Sequence, residues 1–497
     1  MEDVRYFISD SYPVDDAIDK VLRRMAEAEG VVRPVVALPD LHFKHSYSTP
    51  TGIVALVKDR IIPKFLNANC GMSFIITPFM FKDLTEDRMD KVFGMLRKNI
   101  SVSIRKKPLI SFQDLKGIIS NGAGWTLERY GLDRADIVNF ENEGSILKGM
   151  NLSYQDVEGY LPSFAKEIAL LSLGVLGYGN HFIELQAVDD IIDHDAAQAF
   201  GISKGQLCFM MHGDSRGFGQ SLIDHYSKRN KKMLGLQQIY KKMHYKILAQ
   251  EWTPDIIREV LDKTNFYLNR FKSTAYWKMD KVIKKENASF RAIDPSTEEG
   301  RAYLLSTYCA IDFGYANRTY MAAMANKALK EVFGPGSGNI RILHDGNHDA
   351  LQEEDIDGER FFVHRNGAAR ALPSHYYGKH PVFSQTGQPV LLPSALGRPS
   401  YLCAAKGGAK SAYYSSCHGT GRQVDRGEAR ELFKEKDVFD EAKKINMKIY
   451  DYGKGKASEE APAAFKDVNK ILDTISKHGM AQPVVKLRPL ADLKGWR

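Results

Sequence analysis

Five short segments of this chain combine residue types that could do chemistry with backbone that would expose them. Asn67-Ala68-Asn69-Cys70-Gly71-Met72 places a thiol in a turn just before an apolar run. Such a Cys can serve as a thiolate metal ligand if a cation lowers its pKa, or pack as a small hydrophobe. Gly177-Tyr178-Gly179-Asn180-His181-Phe182-Ile183-Glu184 offers backbone that can approach a ligand closely. There His181 could bind metal, and Asn180 and Glu184 could orient a base or sugar. In Met210-Met211-His212-Gly213-Asp214-Ser215-Arg216-Gly217, His212 ends an apolar run, and Ser215 and Arg216 on the turn suit an anion such as phosphate. In His344-Asp345-Gly346-Asn347-His348-Asp349 two His lie four apart, but Asp-Gly-Asn opposes a helix, so one of the two is expected to bind. In Ser416-Cys417-His418-Gly419-Thr420-Gly421-Arg422 a flexible backbone exposes His418 ahead of a cation, which suits imidazole attack on phosphorus. Taken singly, each segment is also a plain glycine-rich turn.

No Gly-x-x-x-x-Gly-Lys-Ser/Thr loop and no Cys-x-x-Cys pair occurs, so a nucleotide or metal needs a rarer arrangement. One Cys with several separated His matches Mn²⁺, Zn²⁺ or Fe²⁺. The elements that would position these residues read as a mixed α/β fold. Val35–Leu38 predicts a strand ended by a turn at Pro39-Asp40; Gly52–Val57 and Phe74–Thr77 predict buried strands. Asp87–Lys98 predicts a helix, and residues 221–332 a long helical insertion. Asp357-Gly358 predicts a hairpin, and the chain beyond Cys417 reads as helical again.

The 497 residues are 43% hydrophobic and 26% charged, which excludes a disordered or collagen-like chain. A net charge of +8 is a weak pointer to a polyanion. Five unpaired-looking cysteines (Cys70, Cys208, Cys309, Cys403, Cys417) argue against a disulfide framework and for a reducing, cytoplasmic setting. No signal-like or membrane-spanning apolar run is present, so no membrane partner is expected.

In order along the chain, these motifs resemble one family, the RtcB-type RNA-splicing ligases. The blocks are Pro39–His42, Asn67–Met72, Gly177–Glu184, His212–Gly219, Asp345–His348, Val363–Ala368, Pro393–Tyr401, His418–Arg422, Glu460–Pro462 and Lys494-Gly495. The resemblance implies an RtcB-like fold with strands around a central cleft, forming one catalytic domain over 1–497. It implies joining of RNA 3′-phosphate or 2′,3′-cyclic-phosphate ends to 5′-hydroxyl ends, using GTP and Mn²⁺. It places Cys70, His181, His212, His348 and Asn67 as manganese ligands, with Cys70 bridging two ions. His418 is implied as the nucleophile that takes GMP. Asn180, Glu184, Ser400, Gly419, Gly421 and Lys494 match guanine-nucleotide contacts. Arg216 falls in the phosphate turn, and His364 and Arg365 are expected at RNA phosphate. His42, His45, His225, His344 and His375 are given no role, and most of them are expected to be structural or on the surface.

The chain departs from the family pattern at several of these positions. Asn67 stands for the usual Asp, Asp349 for Asn, Ala395 for Ser and Phe465 for Tyr, and Gly213-Asp214 replaces Ser/Thr-Gly. A divergent, monomeric paralogue is expected. Two rival readings keep the same fold: a metal-dependent phosphoesterase that opens cyclic-phosphate ends without ligation, and a non-catalytic RNA-end-binding protein.

Overall fold

The computed structural model describes residues 2–43, 49–63, 69–226, 290–451 and 457–495. Its strands are β1 (Val4–Tyr6), β2 (Val31–His42), β3 (Thr51–Val57), β4 (Gly71–Met80), β5 (Phe182–Ile191), β6 (Gln206–Gly213), β7 (Arg341–Asn347), β8 (Asp349–Ile356), β9 (Glu359–Asn366), β10 (Ala368–Arg370), β11 (Pro389–Leu392), β12 (Ser400–Ala405), β13 (Ser415–Cys417), β14 (Lys448–Asp451) and β15 (Ala481–Lys494). A five-stranded sheet runs β1-β2-β3-β9-β8. An eight-stranded sheet runs β11-β12-β15-β5-β6-β4-β7, with β14 also on β15, and β10 pairs with β13. The architecture is the mixed α/β one expected. No helix among the described residues is long and apolar enough to cross a membrane.

Beneath the large sheet lies the helix Glu298–Phe333, 36 residues long. Ala, Leu, Met and Tyr dominate it and no Pro interrupts it, so the backbone propagates without a break. Thr297 Oγ1 accepts from Gly300 N at 3.1 Å at its start, and Gly334 at φ +106° ends it. It is buried nearly all round, as a central core helix must be. Of the stretch 221–332 expected as an insertion, 227–289 lies outside the described residues, and Glu298–Phe333 packs within the main hydrophobic core.

Inside that helix Arg318 braces the strand ends above it. Arg318 Nη2 and Nε lie 2.6 and 3.0 Å from Asp345 Oδ1, with both side chains at most 1% exposed. Arg318 also donates to Gly213 O at 3.2 Å and Asn347 Oδ1 at 3.2 Å. It therefore clasps the ends of both β6 and β7. Burial disfavours the guanidinium charge, and Asp345 more than offsets this.

The structure corrects two expectations. Pro39-Asp40 is not a turn: β2 continues to His42, with its register against β3 shifting between Ala37 and His42. At such a bulge the N–H that Pro lacks is not needed by the ladder. The segment past Cys417 is helical only in part. Its last element is β15, a 14-residue strand between β12 and β5. Pro483 and Pro489, which cannot donate to a ladder, sit where its register shifts against β12 and β5.

Candidate active site

The large sheet brings four metal-type side chains to one edge. Gly71, the first residue of β4, pairs with Gly213 on β6 and with Asn347 on β7. His212 on β6 pairs with Met72 on one side and with Phe182 on the other. Cys70, His181 and His348 are chain neighbours of these register positions. The ladder alone therefore gathers Cys70, His181, His212 and His348 at one end of β5-β6-β4-β7. Asn67 and His45 lie outside the described residues. His344, on β7, stays out of the group: it is buried, and its Nδ1 lies 3.3 Å from Asn139 O.

The Nδ1 atoms of His181 and His212 are engaged by neighbouring groups, while their Nε2 atoms turn toward the cluster. His212 Nδ1 lies 3.0 Å from Asn180 O, and His181 Nδ1 lies 2.8 Å from Leu176 O. Donation from His212 Nδ1 to its carbonyl leaves the lone pair of that ring on Nε2. Arg216 Nη1 lies 2.9 Å from the same His181 nitrogen and 3.0 Å from Asp214 Oδ1. His181 Nε2 lies 3.5 Å from Cys70 Sγ, and His212 Nε2 lies 3.2 Å from His348 Nε2. Burial, with His181 beside it, pushes His212 well below its ordinary range, so the ring is neutral. Ligand atoms of Cys70, His181 and His212 lie within 4.8 Å of one another, as do those of Cys70, His348 and Asp349. Imidazoles that converge beside a thiol fit a borderline-soft divalent cation. Cys70 is half-buried; the other four cysteines are buried, with thiols pushed up by burial.

His418 joins this edge from elsewhere in the chain. It follows β13, whose Cys417 pairs with Ala368 on β10. Its ring lies 4.5 Å from that of His348, centroid to centroid. Its Nδ1 lies 2.7 Å from Asp40 Oδ2, and Asp40 is fully buried. If that nitrogen carries the proton, Nε2 is the nucleophilic atom. Asp40 is held by the bulge in β2: Lys466 Nζ donates to Pro39 O at 3.0 Å and Leu41 O at 2.7 Å. Gly421, at φ +73°, lets the histidine loop close on that bulge, because a Cβ there would lie 2.3 Å from Asp40 O.

A cleft of about 350 Å³ opens between the two groups. It is lined by His212 and His418, and by Asn180, Glu184, Ser400, Gly419, Gly421 and Lys494. All six residues expected at a nucleotide therefore meet in one cavity, although they come from the loop before β5, from β5, β12 and β15, and from the loop after β13. Phe465 lines it too, under the Arg422 guanidinium at 4.5 Å, whereas Ala395 lines the neighbouring cavity. At its floor Glu184 and Asp492 face each other across β5 and β15. Burial raises both carboxyl pKa values, and the Asp492 charge adds to the effect on Glu184. Lys494 Nζ donates to Glu460 Oε2 at 2.9 Å.

Sequence reasoning misplaced some residues and missed others. His364 and Arg365 are buried, not open to RNA. β9 is an inner strand of the five-stranded sheet, which carries apolar clusters on both faces. Arg365 Nη2 pairs with Glu354 Oε2 at 2.9 Å and its Nε donates to Ser415 Oγ at 2.9 Å. His42 lines the cleft rather than the outer surface. Asp40, Lys466 and Asp492 were given no role. For Asp40 the signal was its place in the Pro39–His42 block, which had read as a turn.

A family model described as tRNA-splicing ligase RtcB matches residues 21–495. The tRNA-splicing ligase RtcB of Pyrococcus furiosus is 28% identical over 438 residues, covering 86% of this chain and 40% of that protein. Its counterpart in Thermococcus kodakarensis is 26% identical over 495 residues, covering 96% of this chain and 91% of that protein. That of Methanocaldococcus jannaschii is 26% identical over 453 residues, covering 89% and 41%. The chain thus spans about two fifths of the length of two of these relatives and most of the third. With a match over nearly its whole length and a site built from the expected residues, this chain belongs to the RtcB family.

Proposed function

We propose that this protein is an RNA ligase that joins RNA 3′-phosphate or cyclic-phosphate ends to 5′-hydroxyl ends, using GTP and divalent metal, with Mn²⁺ as the expected ion. The observation that carries this reading is the meeting of His418 with the six nucleotide-type residues in one cleft, beside the Cys70 and histidine cluster. Cys70, His181, His212 and His348 would hold the metal. Bound cations would offset negative charge on the phosphorus oxygens.

The chain's own residues do the rest. Asp40 fixes the His418 tautomer, so that Nε2 attacks the α-phosphorus of GTP. A P–N bond forms as the bond to the pyrophosphate oxygen breaks, and pyrophosphate leaves. GMP then passes from His418 to the RNA 3′-phosphate, and the incoming 5′-hydroxyl displaces it. Asn180, Glu184 and Lys494 hold the nucleotide, Ser400 and the backbone at Gly419 and Gly421 border it, and Arg216 stands at a phosphate turn. The whole chain acts as one catalytic unit and as a monomer.

Incubation with radiolabelled GTP (label on the α-phosphate) and Mn²⁺ tests this. Covalent labelling that His418→Ala abolishes is expected; a wild-type protein that takes no label from GTP or any other nucleotide would sink the mechanism.

A further inference from the structure

We infer that Asp349 is a metal ligand, and that with Cys70 and His348 it forms a second divalent-cation position beside His418. The assignment deepens the metal-dependent reading of this site and rests on it. It adds a residue to which the family resemblance gives no such role.

Three observations carry it. Ligand-type atoms of Cys70, His348 and Asp349 lie within 4.8 Å of one another. That group is a thiol, an imidazole and a carboxylate, a donor set suited to Mn²⁺ or Zn²⁺. Next, the backbone pins the three together. His348 N and Asp349 N donate to Cys70 O at 2.9 and 3.2 Å, so the turn from β7 into β8 is fastened to the residue that both groups share. Last, the carboxylate is oriented: Gly367 N donates to Asp349 Oδ1 at 2.7 Å, and the side chain is 1% exposed. A metal-bound carboxylate with one oxygen held by an N–H is a common support of ligand geometry.

Charge and position both favour this place. A thiolate and a carboxylate together balance a divalent cation, which the neutral amide of Asn67 does not do. Gly367, which orients Asp349, directly precedes β10, and a Cβ on it would lie 3.1 Å from His418 Cε1. The ion held by Asp349 would therefore neighbour His418.

The test uses the full chain with Mn²⁺ alone, scored by equilibrium dialysis with elemental analysis and by low-temperature EPR. Wild type is expected to bind two ions with spin-coupled signals. Asp349→Asn, which keeps the oxygen that accepts from Gly367, is expected to bind one, the other weakened by about tenfold or more. His348→Gln is expected to lose the same ion, which covers the case in which Asp349→Asn folds poorly. Two ions at wild-type affinity in Asp349→Asn, or a wild type that binds only one ion, would overturn the assignment. His418→Ala should retain both ions, so failure of nucleotide transfer and failure of this assignment are distinguishable.

Discussion

The histidine cluster and His418, the proposed nucleophile, border one cleft but are built in opposite ways. Cys70, His181, His212 and His348 hang from adjacent strands of one sheet, where the hydrogen-bond ladder sets their spacing. Arg318 then clamps two of those strand ends from a buried helix. His418 has no such ladder partner on the large sheet. It depends on a carboxylate 378 positions away, which a bulge in β2 and Lys466 hold in place. One region is fixed by repetitive backbone geometry, the other by a few long-range contacts. The lesson is that catalytic orientation here is more exposed to single substitutions than metal binding is.

Three substitutions would break or sharpen that contrast. Asp40→Asn should act on the nucleophile alone. It replaces the charged carboxylate with an amide that can turn an N–H toward His418 Nδ1 and favour the wrong tautomer, so the rate of GTP labelling should fall by about 10²- to 10⁴-fold. Bound metal and thermal stability should stay near wild type; a parallel loss of metal would show that the two regions are not independent. Arg318→Met should act on the cluster through the fold. It leaves Asp345 buried without its cation, which should cost about 3 kcal/mol or more in urea unfolding. Weaker metal binding should accompany it, and an unchanged unfolding midpoint would refute the bracing role.

Asp492→Asn should have the smallest effect, and it depends on pH. Glu184 and Asp492 have carboxyl pKa values raised above those of the unfolded chain. A raised carboxyl contributes stability that is full below the unfolded value of about 4 and is lost as pH climbs through the folded value. Lys494, on the same face, pulls both the other way without cancelling the rise. Wild type should therefore lose stability between neutral and alkaline pH, and Asp492→Asn should lose less, by about 1–2 °C in Tm. Melting curves at pH 6 and pH 9 decide it; equal losses would mean that the two carboxyls do not interact.

The candidate residues stood out before the fold as local motifs, and the resemblance of their ordered blocks to the RtcB family gave them their expected roles. A Cys or His flanked by Gly, Asn or Asp is a chemical signal that survives without neighbours. His212 at the end of an apolar run and the Asp357-Gly358 hairpin follow from short-range rules, and the structure agrees with them. The misreadings came where local rules meet long-range packing. Pro39-Asp40 has the composition of a turn, yet strand pairing carries it through as a bulge. Val363–Ala368 matches a functional block, yet its His364 and Arg365 are buried because β9 is covered on both faces.

The sequence by itself therefore determined which side chains can ligate metal, attack phosphorus or border a nucleotide, since those capacities reside in the side chains and their flanking backbone. Only the tertiary structure decided which of them act together. The pairing of Asp40 with His418, the sharing of Cys70 between two donor groups and the turning inward of Arg365 are set by strand register and burial, and these depend on residues hundreds of positions apart.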